Sequence, residues 1–273
     1  MEKERMLRAS ELLARMKAPM VGGDGKEEET KQGFTYYYGK CPVHGRYLRD
    51  VVGNGTSRHF AHRCPECERV RREKEAWGRS GIPARFQGKT FHSYVASTPE
   101  ERAAKAAAEA YARTLEERLP KGDSLILYGA PGTGKTHLAC AIGREAMRLG
   151  KSVLYATFDE IVRNIRSTWG GKGSEREELA KLTSVDLLII DEAGGVDDAG
   201  TKRILFSVVN ERYQSLRSIV LVTNANMEAL RQATGDRCFS RLCEMARSVP
   251  FFWEGRRGNR VPSAVSPRGA EWR

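Results

Sequence analysis

The run Gly129-Ala-Pro-Gly-Thr-Gly-Lys-Thr136 constrains this chain more than any other feature. An apolar strand-like segment, Ser124-Leu-Ile-Leu-Tyr128, leads into it. A helix-like segment from His137 to Leu149, stopped by Gly150, leads out. Strand, glycine loop and helix in that order make a phosphate-binding loop. The glycines let the backbone curl until successive N–H groups point inward at a phosphate, and the positive end of the helix dipole adds to the attraction. Lys135 is placed to reach the β- and γ-phosphates of ATP, and the Thr136 hydroxyl to hold Mg2+. The predicted nucleotide contacts are Gly129, Ala130, Pro131, Gly132, Thr133, Gly134, Lys135, Thr136 and His137.

Beyond the loop, short apolar runs at 124–128, 152–156, 185–190, 218–223 and 248–253 alternate with helical stretches. That alternation predicts an α/β fold with a parallel sheet covered on both faces. The third run, Leu187-Leu-Ile-Ile-Asp191-Glu192, ends in two acids. Beside a phosphate loop, Asp191 suits Mg2+ held through water, and Glu192 suits orienting and deprotonating the attacking water. The fourth run ends in Thr223-Asn224, and Asn224 is read as a residue that touches the γ-phosphate or that water. Arg237 and Arg241 lie four apart, on one helix face. They form either a solvated basic face or, for one of them, an arginine finger toward a neighbouring subunit's γ-phosphate.

A second pattern lies upstream. Cys41-Pro-Val-His44 and Cys64-Pro-Glu-Cys67 are two ligand pairs with short internal spacing, separated by a gap of the length seen in small zinc modules. The segment around them is too small to hold itself by hydrophobic burial, so a metal staple makes physical sense. Four protein ligands make a closed, structural Zn2+ site. His62 or His59 could replace His44 as the fourth ligand. Cys140, Cys238 and Cys243 sit in helix-like stretches and read as ordinary small side chains.

The net charge of +11 favours a polyanionic partner, and beside a nucleotide-binding core nucleic acid is the expected one. Hydrophobic content of 40% with 30% charged residues fits a soluble globular chain. No apolar stretch approaches bilayer length, so no membrane partner is expected. The first residues carry acids and no apolar signal core, so the expected location is the cytoplasm. The predicted organisation is a charged helix and linker over 1–33, a zinc-binding module over 34–80, a linker over 81–97, the ATPase domain over 98–257 and a tail over 258–273.

Gly81-Ile-Pro-Ala-Arg-Phe86, Gly129–Thr136, Asp191-Glu192, Thr223-Asn224 and Arg237-x-x-x-Arg241 stand in one order along the chain. In that order they resemble the bacterial and phage replicative helicase loaders of the DnaC/DnaI type, and more broadly the IstB-like branch of the AAA+ ATPases. The resemblance implies a sheet ordered 5-1-4-3-2, no C-terminal helical lid, and a homo-oligomeric spiral with ATP at each interface. It implies Arg241 as the finger and Arg237 as its support. It also implies a helical insertion, here 158–184, that meets single-stranded DNA. Arg163, Arg166, Trp169 and Lys172 supply cations and an aromatic ring there. The implied partner of the zinc module and N-terminal helix is a ring-shaped hexameric replicative helicase. The shared core also fits a transposition helper of the IstB type, acting on a transposase and DNA. A third reading is an adaptor whose nucleotide site serves only as an assembly switch.

Overall fold

The computed structural model describes residues 27–53, 56–61, 63–171, 173–194 and 198–255. The charged helix expected at the start of 1–33, the tail over 258–273, His62 and Lys172 lie outside them. The chain divides into two units, Met1–Glu75 and Ala76–Arg273.

In the first unit four antiparallel strands run in sequence order: β1 (Glu27–Lys31), β2 (Phe34–Cys41), β3 (Gly45–Gly53) and β4 (Thr56–His59). Helix α1 (Pro65–Arg79) follows, and its last turn belongs to the second unit. The linker expected at the end of 1–33 therefore contains a strand. Its pairing with the tyrosine-rich β2 overrides the poor strand preference of three consecutive glutamates. Gln32 and Gly33, both at positive φ, make the two-residue hairpin turn between them. Among the described residues up to Glu75, only Cys41 and Cys64 are buried apolar side chains.

The second unit is a five-stranded parallel sheet of β5 (Ser124–Gly129), β6 (Val153–Thr157), β7 (Leu187–Asp191), β8 (Ser218–Thr223) and β9 (Ala246–Phe251), ordered β6-β7-β8-β5-β9. Counted within the sheet this is 5-1-4-3-2 read from the β9 edge, as expected. The last strand starts two residues earlier than the apolar run suggested, because Ala246 and Arg247 pair with β5 despite polar or small side chains.

Side chains alternate across the sheet. Leu125, Leu127, Ile189, Val220, Val222 and Phe251 face a cluster shared with α3 (Pro99–Arg113) and α5 (Lys135–Arg148). Ile126, Leu188, Ile190, Ile219 and Leu221 face the opposite one. That cluster is shared with α6 (Phe158–Thr168), α7 (Glu175–Ser184), α8 (Ala199–Gln214), α9 (Met227–Thr234) and α10 (Asp236–Met245). Thr98 with Glu101 and Thr157 with Glu160 form reciprocal capping boxes that start α3 and α6. The linker expected over 81–97 includes one helical turn, α2 (Ala84–Gln87), with Ile82 and Phe86 in the core. Helix α3 stops at Arg113, and a separate turn, α4 (Leu115–Arg118), continues the chain. Among the described residues no helix is long and apolar enough to cross a membrane.

One buried cation ties the second face together. Arg212 on α8 is 0% exposed. Its guanidinium donates to the carbonyls of Leu182 at 2.7 Å, Val185 at 3.0 Å, Asp186 at 3.2 Å and Ser218 at 2.6 Å. The planar fork thus collects the end of α7, the entry to β7 and the start of β8. Arg212→Ala leaves these carbonyls without a donor and opens a cavity, so it should cost about 3–5 kcal/mol. Urea unfolding measures this. Lysine should not rescue it, since one ammonium cannot span the fork. A loss under about 1 kcal/mol would show that water replaces the guanidinium.

Candidate functional site

The parallel sheet puts the ends of all five strands on one edge, the usual place for a ligand in such a sheet. The phosphate loop leaves β5 there and enters α5. Gly134 closes it at φ +96, where a Cβ would lie 2.6 Å from the Tyr94 ring. Only glycine meets both demands. The Tyr94 hydroxyl donates to the Thr133 carbonyl at 3.0 Å, so the segment before α3 braces the loop from behind. Lys135 is 4% exposed, and its ammonium donates to the carbonyls of Gly129 at 2.8 Å and Ala130 at 2.6 Å. The cation is therefore already within the loop. Thr136 is half-buried one residue on.

His137 behaves differently from its neighbours. Its Nε2 lies 2.9 Å from the Thr90 carbonyl and its ring stands edge-on to Tyr94 at 5.2 Å. Burial pulls its pKa down, so the neutral ring donates to Thr90. The side chain is turned to the bracing segment, which leaves the backbone at the helix start for a nucleotide.

Asp191 ends β7, 4% exposed. Its Oδ1 accepts the Glu192 N–H at 2.8 Å and its Oδ2 accepts the Tyr155 hydroxyl at 2.7 Å. Glu192 is exposed at φ +58, the left-handed region that a glutamate adopts only at a cost. Strain of this kind collects at functional positions. At the end of β8, Thr223 is buried and accepts the Ala225 N–H, while Asn224 is exposed on the same edge.

Arg237 and Arg241 lie on α10 in unlike surroundings. Arg237 is exposed. Arg241 is half-buried, its guanidinium 4.8 Å from the Phe206 ring and 5.7 Å from the Tyr213 ring on α8. In the helical segment after β6, Arg163 is exposed and Trp169 is 53% exposed. Arg166 is committed: it donates to Asp198 Oδ1 at 2.7 Å and Thr201 Oγ1 at 2.8 Å, the pair that caps α8. Trp169 donates to Glu175 at 3.0 Å.

In the first unit Cys41, His44, Cys64 and Cys67 come together, their ligand atoms all within 4.8 Å of one another. The His44 Nδ1 lies 3.7, 3.5 and 3.4 Å from the three sulfurs, and Cys41 Sγ lies 3.5 Å from Cys67 Sγ. Tetrahedral Zn–S bonds of about 2.3 Å separate sulfurs by about 3.8 Å, so the set fits zinc. The N–H groups of Val43 and His44 both point at Cys41 Sγ, a second shell for a thiolate. Burial raises the Cys41 thiol, but those N–H groups pull it below its ordinary value. Burial and the neighbouring Cys41 push Cys67 up. Cys41 and Cys67 are thus pushed in opposite directions, a conflict that a divalent cation resolves. His59 pairs with Asp50 instead.

Tyr155 and Tyr94 were not identified from the sequence. Both look like core aromatics in an apolar run or a loop, and their partners lie 36 and 39 residues away.

The family model of the IstB-like ATP-binding proteins matches residues 103–243. The replicative helicase loader DnaC of Escherichia coli K12 is 32% identical over 193 residues, 69% of this chain and 77% of that protein. An uncharacterised E. coli K12 protein, YdaV, is 30% identical over 209 residues, 75% of this chain and 83% of its own. A solved structure of the DnaC helicase loader superposes with a TM-score of 0.57 at 18% identity. It covers 62% of this chain and 99% of its own, a likeness of fold. With its phosphate loop, acidic strand end and paired arginines all inside or beside the matched span, the chain belongs to the IstB-like ATP-binding proteins.

Proposed function

We propose that this chain is an ATP-dependent loader that places a ring-shaped replicative helicase onto single-stranded DNA. The observation that carries the reading is the match to a replicative helicase loader over 77% of that protein's length.

In this reading the loop N–H groups and Lys135 hold the phosphates of ATP. Thr136 and Asp191 hold Mg2+, which when bound neutralises the charge that develops on the phosphates. Glu192 takes the proton of the attacking water, and Asn224 reports on the γ-phosphate. Arg241, steadied on two rings, reaches the ATP of the next subunit in a spiral, with Arg237 beside it. Arg163 and Trp169 offer a cation and a stacking surface to single-stranded DNA. Arg166 contributes by ordering α8. Release of the helicase follows hydrolysis because the nucleotide contacts and the subunit interface share residues.

The test is a mixture of the purified chain, ATP and the replicative helicase of its host. A stable complex is expected on size-exclusion chromatography, and it should be lost from a chain lacking residues 1–75, the first unit, and from a Cys64→Ser/Cys67→Ser variant. No complex with the wild-type chain would overturn the loader reading.

A further inference from the structure

Asp191 is the group expected to face Mg2+, yet two of its lone pairs are already engaged. Oδ1 takes the Glu192 N–H and Oδ2 takes the Tyr155 hydroxyl, at 2.8 and 2.7 Å. An ionised carboxylate offers about four lone-pair sites, so two remain for a metal-bound water. One donor on each oxygen sets both the rotation and the plane of the carboxylate before any ligand arrives.

Tyr155 is itself held. It lies on β6, at the edge of the sheet, so its outward N–H has no strand partner. That N–H donates instead to the Ser80 carbonyl at 2.6 Å. Gly81 sits so close that a Cβ there would lie 2.5 Å from the Tyr155 carbonyl oxygen. Ser80 is 0% exposed and bonded to Trp77 and Ile82. The ring is 6% exposed within the core. Its phenol donates the O–H to Asp191 as an uncharged group, the ordinary state of a tyrosine near neutral pH. A neutral donor orients a carboxylate without competing with a cation for its charge, as lysine or arginine would.

We propose that Tyr155 is the positioning residue of the magnesium site: its hydroxyl fixes the Asp191 carboxylate in the orientation that receives the metal-bound water. The inference rests on the ATPase reading above. Second-shell donors of this kind typically change metal affinity by about 10–100-fold.

The experiment uses the full chain and a fluorescent ATP analogue, its affinity followed against free Mg2+. For Tyr155→Phe, which keeps the ring, the Mg2+ midpoint should rise at least about tenfold. Affinity in EDTA should stay at the wild-type value. A tyrosine that only stabilises the fold would lower the melting temperature and leave the midpoint alone. A midpoint within about twofold of wild type therefore overturns the proposal while the ATPase reading stands. In an Asp191→Asn background the same substitution should change nothing, which tests the coupling independently. A wild-type chain whose nucleotide affinity ignores Mg2+ would overturn the ATPase reading and this inference together.

Discussion

Glu192→Gln should bind ATP as tightly as the wild type and turn it over about 10²–10⁴-fold more slowly. The amide keeps the size and backbone of the side chain but cannot accept a proton. The geometry makes this a clean substitution. Glu192 is exposed, and among the described residues no side chain donates to it; its backbone N–H donates to Asp191. The fold therefore loses nothing with the carboxylate. Its backbone also sits at φ +58, a conformation that costs a non-glycine residue roughly 1–2 kcal/mol. Retaining glutamate against that cost points to chemistry. Glu192→Gly should accordingly silence turnover without lowering the melting temperature, since the strain leaves with the base. Single-turnover hydrolysis and a melting curve on the three proteins decide it. Unchanged loading activity in Glu192→Gln would favour the adaptor that uses nucleotide only as a switch.

The parts of this site that could be read from the chain are those whose chemistry demands a residue type at a fixed spacing. Three glycines and a lysine must sit within one loop, and two acids must end a buried strand, so both stand out in a linear sequence. The parallel sheet followed from short apolar runs alternating with helices, and its order only from the family resemblance. What escaped notice depends on contacts between distant positions. Tyr155 carries the period-two pattern of any core strand residue, and nothing local marks its hydroxyl as a partner of Asp191. Arg212, in Asn-Glu-Arg-Tyr, looks like a solvated helix cation and is instead fully buried on four carbonyls. Arg166 carries a role of another kind that was not legible. Its place beside Trp169 suggests a DNA contact, and nothing local shows that it also pairs with Asp198, 32 residues on. Charge read along a chain shows where cations are abundant; tertiary pairing decides which of them stay available. The strand at Glu27–Lys31 escaped for a similar reason, since only its pairing with β2 makes a run of glutamates extended.

Removing zinc should unfold the first unit and leave the second intact. The argument starts from burial. Up to Glu75 the described residues contain no buried apolar side chain besides Cys41 and Cys64, and α1 has no buried residue at all. Four short strands and a charged helix bury too little to offset the entropy of ordering them. Binding of Zn2+ to a Cys3His set supplies apparent free energies of about 10–16 kcal/mol at neutral pH, which is folding free energy in a module of this kind. The second unit, with two apolar clusters on either face of its sheet, needs no such staple. A strong chelator, or Cys64→Ser/Cys67→Ser, should therefore abolish the β-sheet signal of residues 27–59 in hydrogen exchange while affinity for the ATP analogue persists. Metal analysis should give one zinc per chain. His44→Ala should weaken retention of the ion and His59→Ala should not, because His59 faces Asp50. Acidification should release the metal as its thiolates and imidazole take up protons. A chain that keeps slow exchange over 27–59 with no metal bound would show that the sheet holds itself, and the cluster would then be four neighbouring side chains without a structural ion.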